Sequence, residues 1–98
     1  MEITVTHGEE MTVKINGRID TVTAKELESR LKEETVTENK VIMDFTDAEY
    51  ISSAGLRLLL ALKNGLAEKG KEFEIHNVNA VVREVFSVTG FKNVLTIK

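Results

Sequence analysis

Two adjacent serines, Ser52 and Ser53, stand where an apolar, strand-like segment gives way to a leucine-rich, helix-like one. The first backbone N–H groups of a helix lack partners inside the helix and carry about half a unit of positive charge. A phosphate placed there is therefore electrostatically stabilised. Serine hydroxyls at such a position are suited to phosphorylation.

Helix capping gives the same pair a purely structural interpretation, because serine is among the preferred N-cap residues. One cap accounts for only one of the two serines. From the residues alone, capping and a modifiable or catalytic serine both remain open.

The surroundings of the serines argue against a hydrolase. Such an enzyme would need a Gly-x-Ser-x-Gly elbow or a nearby base, yet Ile51 stands where the first glycine would be. Ser53 and Gly55 form only half of that motif. His7 is predicted in a hairpin turn and His76 at a strand end, both as surface residues. We therefore expect no enzymatic activity.

Three carboxylates of an acidic loop, Asp44, Asp47 and Glu49, are predicted to converge near the serine turn, where Asp20 could join them. They could hold magnesium or assist proton transfer. Magnesium usually needs substrate phosphates as well as one or two carboxylates, so we expect solvated loop carboxylates instead. Because no glycine-rich phosphate loop is present, the chain is not expected to be a kinase or to hold a cofactor.

Length and composition predict one α/β domain over residues 1–98. The 98 residues are 42% hydrophobic and 30% charged, with a formal net charge of −3 and no cysteine. This composition suits one packed core in a reducing compartment, and the scattered basic residues argue against nucleic-acid binding. With neither a signal-peptide pattern nor an apolar run of roughly 20 residues, we expect a cytoplasmic protein without membrane insertion.

The first strands follow from alternation of apolar and polar residues. Ile3–Val5 and Met11–Ile15 predict a hairpin with one buried face, and Gly17 is predicted to end the second strand. Val41–Met43 with Phe45 is nearly continuous in apolar character, which is typical of a central strand covered on both faces.

Helical periodicity marks the next elements. A first helix is predicted from about Thr23 to Glu34, with Thr23 and Glu26 at capping-box spacing. The serine helix is predicted to extend to about Lys69 and to stop at Gly70.

The remaining segments complete an α/β order. Glu72–Ile75 alternates as a strand, Asn77 or Asn79 can cap a helix through Val88, and Val94–Ile97 makes a final strand. The predicted order is β-β-α-β-α-β-α-β, with one mixed sheet of about four to five strands flanked by three or four helices.

The serine helix has a wide apolar arc, because Leu58 and Leu62 extend it to about 200°. These leucines face either a partner or the flanking helices, and the second alternative is favoured because three helices share a small sheet. Lys63 falls inside the arc, which predicts a packed stem and a solvated ammonium.

Three segments resemble the bacterial STAS-domain anti-sigma factor antagonists. Tyr50–Arg57 is similar to the signature of that family, Gly17–Asp20 followed by Thr23–Ala24 to its turn into the first helix, and Val81–Phe91 to its last helix and exit turn. Together they span nearly the whole chain in the family's order, so the resemblance implies the STAS fold.

The resemblance also implies a mechanism. Members bind an anti-sigma factor that is a serine kinase, which frees the sigma factor, and phosphorylation ends that binding. The motif places the phosphoacceptor at Ser53. Ser52 is the second choice, because it offers a second hydroxyl at a position where many members carry Asp. Asp20 matches an acidic position that assists phosphorylation and binding. The implied partner-binding residues are Asp20, Thr21, Asp47, Glu49, Ser52, Ser53, Ala54, Gly55, Arg57 and Leu58.

The resemblance assigns ATP and magnesium to the partner kinase and implies a serine phosphatase as a further partner. STAS-like domains also act as non-switching modules in scaffolds, transporters and lipid-trafficking complexes, which is the alternative. We expect a monomer, with a weak dimer through an edge strand, Met11–Ile15 or Val94–Ile97, left open.

Overall fold

Strands and helices follow one another in the predicted order β-β-α-β-α-β-α-β. The structure is a computed structural model and describes residues 1–98. Its elements are β1 (Glu2–Thr6), β2 (Met11–Ile19), α1 (Thr21–Lys32), β3 (Lys40–Ile51), α2 (Ser53–Glu68), β4 (Glu72–His76), α3 (Ala80–Val88), a 3-10 turn (Phe91–Asn93) and β5 (Thr96–Ile97).

The five strands form one mixed sheet in the order β1-β2-β3-β4-β5. β1 and β2 pair antiparallel, and the other neighbours pair parallel. The predicted mixed sheet is thus confirmed. One row of apolar side chains crosses all five strands, and it consists of Val5, Val13, Met43, Ile75 and Ile97.

All three helices lie on one face of this sheet. Each parallel strand is added beside the preceding one in the same direction, so right-handed crossovers place every connecting helix on the same side. In β4, Phe73 and Ile75 face the helices and join the core, whereas Glu74 faces outward. The expectation that β3 is covered on both faces is therefore wrong. Ile42 lies outside the core cluster, in a row with Thr12 and Glu74 on the uncovered face.

The second strand does not end at Gly17, as the alternation predicted. β2 continues to Ile19, which is buried and pairs with Ile51 at the end of β3. Gly17 has a φ of 115°, which L side chains rarely adopt. Glycine therefore allows an unusual backbone conformation within the strand instead of ending it.

The third strand is longer than predicted, because the acidic stretch Asp44–Glu49 belongs to β3 and is not a loop. The register with β2 shifts twice, and at each shift β3 carries one residue more than its neighbour. Such bulges interrupt the alternation of inward and outward side chains. Thr46 and Asp47 are consequently both exposed.

The first helix begins at Thr21, two residues earlier than predicted, and ends at Lys32. Its N-cap is Asp20, whose carboxylate accepts hydrogen bonds from the N–H groups of Val22 at 3.0 Å and Thr23 at 2.9 Å. The Thr23 hydroxyl accepts in return from the Asp20 N–H at 2.8 Å. The capping box therefore joins Asp20 to Thr23, and the predicted pairing of Thr23 with Glu26 is wrong.

The later elements agree closely with the sequence. Helix α2 ends at Glu68, and Gly70 follows with a φ of 72°. Asn79, and not Asn77, caps α3, since its side chain accepts from the Val82 N–H at 2.8 Å. The last strand is shorter than predicted because a 3-10 turn precedes it.

The core is one cluster of 19 buried residues drawn from the sheet and all three helices. Phe45 of β3 and Phe86 of α3 pack with their ring centroids 6.4 Å apart. Leu58 is 7% exposed and Leu62 is half-buried, so the flanking elements cover Leu58 and only part of Leu62. Lys63 is half-buried, as its position in the arc predicted.

The turn between β1 and β2 is joined to the segment that precedes β3. Glu38, whose side chain is 4% exposed, accepts from the Gly8 N–H at 3.2 Å, and its carboxylate lies 2.8 Å from Nδ1 of His7. The hydrogen bond with Glu38 raises the pKa of His7. His7 thus lies in the hairpin turn, as predicted, at the end of the sheet opposite the serines.

No helix is long and apolar enough to cross a membrane.

Candidate functional site

The N-termini of α1 and α2 lie side by side at one edge of the sheet. Ile19 and Ile51 are paired at the ends of β2 and β3, and the Ser52 N–H donates to the Ile19 carbonyl at 2.8 Å. The next residue on one strand is Asp20, the N-cap of α1, and on the other it is Ser52, the N-cap of α2. Parallel pairing therefore brings the predicted acidic residue next to the serine turn.

The two serines have different structural roles. Ser52 is half-buried, and its hydroxyl oxygen accepts from the Gly55 N–H at 3.3 Å. Ser53 is exposed as the first residue of α2, and its hydroxyl makes no hydrogen bond within the chain. Helix capping therefore explains Ser52 and leaves the Ser53 hydroxyl available to a partner.

Gly55 is required by close packing beneath the serine turn. A Cβ at this buried position would lie 2.6 Å from Cγ1 of Ile51 and 2.8 Å from Cγ2 of Ile19. Both distances are shorter than real Cβ contacts. The glycine thus lets the first turn of α2 approach the strand ends closely. Because Gly55 is buried, it supports the site but offers no contact surface to a partner.

Asp20 places a negative charge beside the serines. Hydrogen bonds from Thr23, first from its backbone N–H and then from its hydroxyl, hold the pKa of Asp20 below its usual range. The carboxylate is therefore ionised at neutral pH, and its negative charge interacts favourably with the partial positive charge at the start of α1.

Side chains of α1 and α2 form a shallow groove of about 280 Å³ that begins at the serine turn. Ala54 is half-buried, Arg57 is exposed, and Leu58 is buried at the base of the groove. Thr21 lines the α1 side. Four predicted partner-binding residues therefore share this groove.

Two neighbours of the turn were not predicted. Val22 is 67% exposed in the first turn of α1, beside Thr21. The guanidinium of Arg18 stacks over the ring of Tyr50, 4.7 Å from its centroid, one residue before the buried ends of β2 and β3. No local sequence signal marks Val22 as exposed, and the Arg18–Tyr50 pair depends on strand register.

The acidic residues do not form one cluster, contrary to the predicted convergence. Asp47 is exposed and lies 3.4 Å from Nζ of Lys14. Asp44 accepts from the Thr46 N–H at 2.9 Å and from Asn77 at 3.1 Å. Glu49 is exposed and has no ion pair. No group of three or more potential ligands is placed to hold a metal ion.

Neither histidine is positioned as a base for the serines. His7 contacts Glu38 and Glu34, and His76 lies 2.9 Å from Glu74 on the uncovered sheet face. The site therefore offers a hydroxyl and charged surface but no assembled catalytic group.

Together, the mixed sheet, the paired helix starts and the exposed serine define a small α/β domain. The model of the STAS domain family matches residues 1–98. The chain is 31% identical over 84 residues to BtrV of Bordetella bronchiseptica, a protein named as a candidate anti-sigma factor antagonist, covering 85% of this chain and 72% of BtrV. It is 28% identical over 95 residues to the anti-sigma-B factor antagonist of Staphylococcus epidermidis, covering 94% and 86% respectively. The chain thus belongs to the STAS-domain family of anti-sigma factor antagonists.

Solved structures show the same fold. The anti-sigma factor antagonist SpoIIAA in its unphosphorylated form superposes with a TM-score of 0.82 at 16% identity, covering 99% of this chain and 88% of that one. The phosphorylated form of SpoIIAA from Bacillus gives 0.73 at 15% identity, covering 99% and 91%. A sulfate transporter family protein from Wolinella succinogenes gives 0.78 at 18% identity, covering 94% and 75%.

Proposed function

We propose that this protein binds an anti-sigma factor serine kinase when unphosphorylated, so that the sigma factor is released, and that phosphorylation of Ser53 ends the binding. The observation that carries the proposal is the division of roles between the serines. Ser52 uses its hydroxyl as the N-cap of α2, whereas Ser53 presents a free hydroxyl on the same helix start.

The helix start would stabilise the modified residue. A phosphate adds about −1.5 to −2 charge units. The N-terminal end of α2 favours such a charge, so the fold is expected to tolerate it. Loss of binding is then expected at the partner surface, because a phosphate on the exposed Ser53 displaces the partner's contacts and adds negative charge beside Asp20 and Glu49.

The partner supplies the chemistry of phosphorylation. The kinase brings ATP and magnesium, and the antagonist brings the acceptor hydroxyl and the docking surface. A serine phosphatase would reset the switch. In this proposal the protein is a cytoplasmic regulator that acts by binding its partner and has no cofactor of its own.

Phosphorylation and binding can be tested with the same variants. The protein is incubated with ATP, magnesium and a cytosolic extract of its source cell, and peptides across residues 43–63 are mapped by mass spectrometry. One phosphate at Ser53 is expected in wild type and in Ser52→Ala, and none in Ser53→Ala. Phosphate that persists in Ser53→Ala, or appears at Ser52 alone, would refute the assignment.

Binding is tested by capture of the kinase from the same extract. Wild type and Ser53→Ala are expected to retain it, whereas Ser53→Asp is expected to lose it with an almost unchanged Tm. Equal capture by Ser53→Asp would refute the switch. If that variant instead unfolds, phosphorylated wild-type protein provides the same comparison without a substitution.

A non-switching STAS module is the second candidate, favoured by the structural similarity to the sulfate transporter family protein. In that case the serine turn is an interface, and the protein co-purifies with a scaffold or membrane-associated partner. That complex would persist in the presence of ATP, and no phosphate would appear at Ser53.

A further inference from the structure

A cavity of about 550 Å³ opens between α1 and α2 at the end of the domain opposite Ser53. It is lined by the last turns of both helices and by the first residues of β2, β3 and β4. Its volume falls within the range of roughly 300–1,000 Å³ that is usual for small-molecule sites. The cavity shares no residue with the serine turn, and Ala61 alone lines both the cavity and the groove that begins there.

The walls of the cavity are apolar. Ten of its 16 lining residues are hydrophobic. Leu31 and Val36 on one side and Leu62 and Leu66 on the other pack partly against the core but keep some exposed surface. Solvent therefore meets apolar side chains here that a hydrocarbon group could cover.

Gly65 lines the same cavity from the last turn of α2. A glycine inside a helix is less favourable than alanine, so it calls for a structural reason. Gly55 in the same helix has one, because its Cβ would collide with Ile51 and Ile19. A Cβ at Gly65 would meet nothing within 4 Å. The folded chain alone gives no reason for this glycine, whereas a ligand that approaches the helix backbone does.

The rim of the cavity carries both signs of charge, from Lys32, Glu34, Glu68 and Lys69. Glu34 is engaged by Arg30 and His7, and Lys32 lies 3.9 Å from Glu28. Neither sign is in excess, so the rim suits a polar end group without requiring an anion or a cation.

We infer that this cavity binds the alkyl chain of a small amphiphile, with the hydrocarbon between Leu31 and Leu66 and the polar end at the rim. The two helices enclose the alkyl chain on two sides and the sheet closes the base of the cavity. This shape suits a narrow ligand better than a broad protein surface. The site is separate from the proposed switch and does not depend on phosphorylation of Ser53.

The test uses dodecanoate and dodecan-1-ol as probes, each below its aggregation limit, with methyl NMR of the full chain. Both probes are expected to shift the methyl signals of Leu31, Val36, Leu62 and Leu66, with affinities within about tenfold of each other. Gly65→Leu fills the cavity mouth and should weaken binding at least tenfold. Ala67→Leu, an exposed position on α2 outside the cavity, is the matched control and should bind as wild type does.

Three results would overturn the inference: no binding of either probe up to its aggregation limit, shifts centred on other residues, or equal binding by Gly65→Leu. Salt-sensitive binding of dodecanoate alone would also overturn it, because surface lysines would then explain the affinity. Denaturation curves of both variants establish that each is folded, and Leu62→Phe offers a second way to narrow the cavity.

Discussion

The backbone N–H of Ser52 donates to the carbonyl of Ile19 at 2.8 Å, and this one hydrogen bond joins the starting points of two helices. Asp20 follows Ile19 and caps α1, while Ser52 itself caps α2. The acidic residue and the serine pair are 32 positions or more apart in sequence, yet strand pairing places them at the same end of the sheet. The site therefore depends on the pairing of β2 with β3 as much as on the serine motif.

The serine pair predicts two different effects on stability. Ser52→Ala removes the oxygen that accepts the Gly55 N–H and should lower the free energy of unfolding by about 0.5–2 kcal/mol. Ser53→Ala removes an exposed hydroxyl and should change it by less than about 0.5 kcal/mol. Urea denaturation of both variants measures the difference. A larger loss in Ser53→Ala would mean that Ser53 is the structural residue.

Replacing Gly55 by alanine should destabilise the protein by about 1–3 kcal/mol, because the new Cβ overpacks against Ile51 and Ile19. Gly65→Ala in the same helix is the matched control. Its Cβ has open space, so helix propensity should make that variant more stable by about 0.5–1 kcal/mol. Thermal and urea denaturation test both signs, and a stabilising Gly55→Ala would contradict the packing argument.

The lowered pKa of Asp20 predicts that the protein loses stability in acid. Its pKa is lowered in the folded state, so its contribution is present above the pKa of the unfolded chain and is lost as pH falls through the folded value. Asp20→Asn keeps a good capping oxygen but cannot titrate. The difference in Tm between wild type and Asp20→Asn should therefore shift in favour of Asp20→Asn as pH falls from 7 to about 3. A constant difference would show that the carboxylate is not perturbed.

The raised pKa of His7 predicts the opposite dependence of stability on pH. Glu38 and Glu34 both contact the imidazole, and the pKa of His7 is raised mainly by the hydrogen bond with Glu38. The contribution is fully present below the unfolded pKa and is lost as pH rises through the folded value. The destabilisation caused by His7→Gln should thus be larger at about pH 5.5 than at about pH 8.5. NMR titration of the imidazole in wild type and Glu38→Gln provides the direct check, and an unchanged pKa in Glu38→Gln would refute the assignment.

Residue types were sufficient to predict the order of elements, the mixed sheet and the two serines at a helix start. They were not sufficient for the acidic part of β3, because two bulges interrupt the alternation and bulges depend on the register with β2. The start of α1 was predicted two residues too late because of a different competition, that between two possible N-cap residues. Thr23 has the chemistry of an N-cap, but Asp20 reaches the free N–H groups first.

The candidate site was predicted only in part. Asp20, Ser52 and Ser53 do lie together, whereas Asp44 is held by Thr46 and Asn77. The stacking of Arg18 on Tyr50 could not be read from local spacing, because the two residues meet only once β2 and β3 are paired.

The order of the strands in the sheet is the same as their order in the chain. Every strand therefore pairs with the strand that precedes it, and no pairing has to wait for a later segment. During synthesis the sheet can grow one strand at a time, each crossover helix closing over the part already formed. Each parallel partner lies roughly 20 to 30 residues back in the chain, so each pairing closes a long loop, and adding the strands in order limits the time for which an unpaired edge such as β3 or β4 is exposed to aggregation.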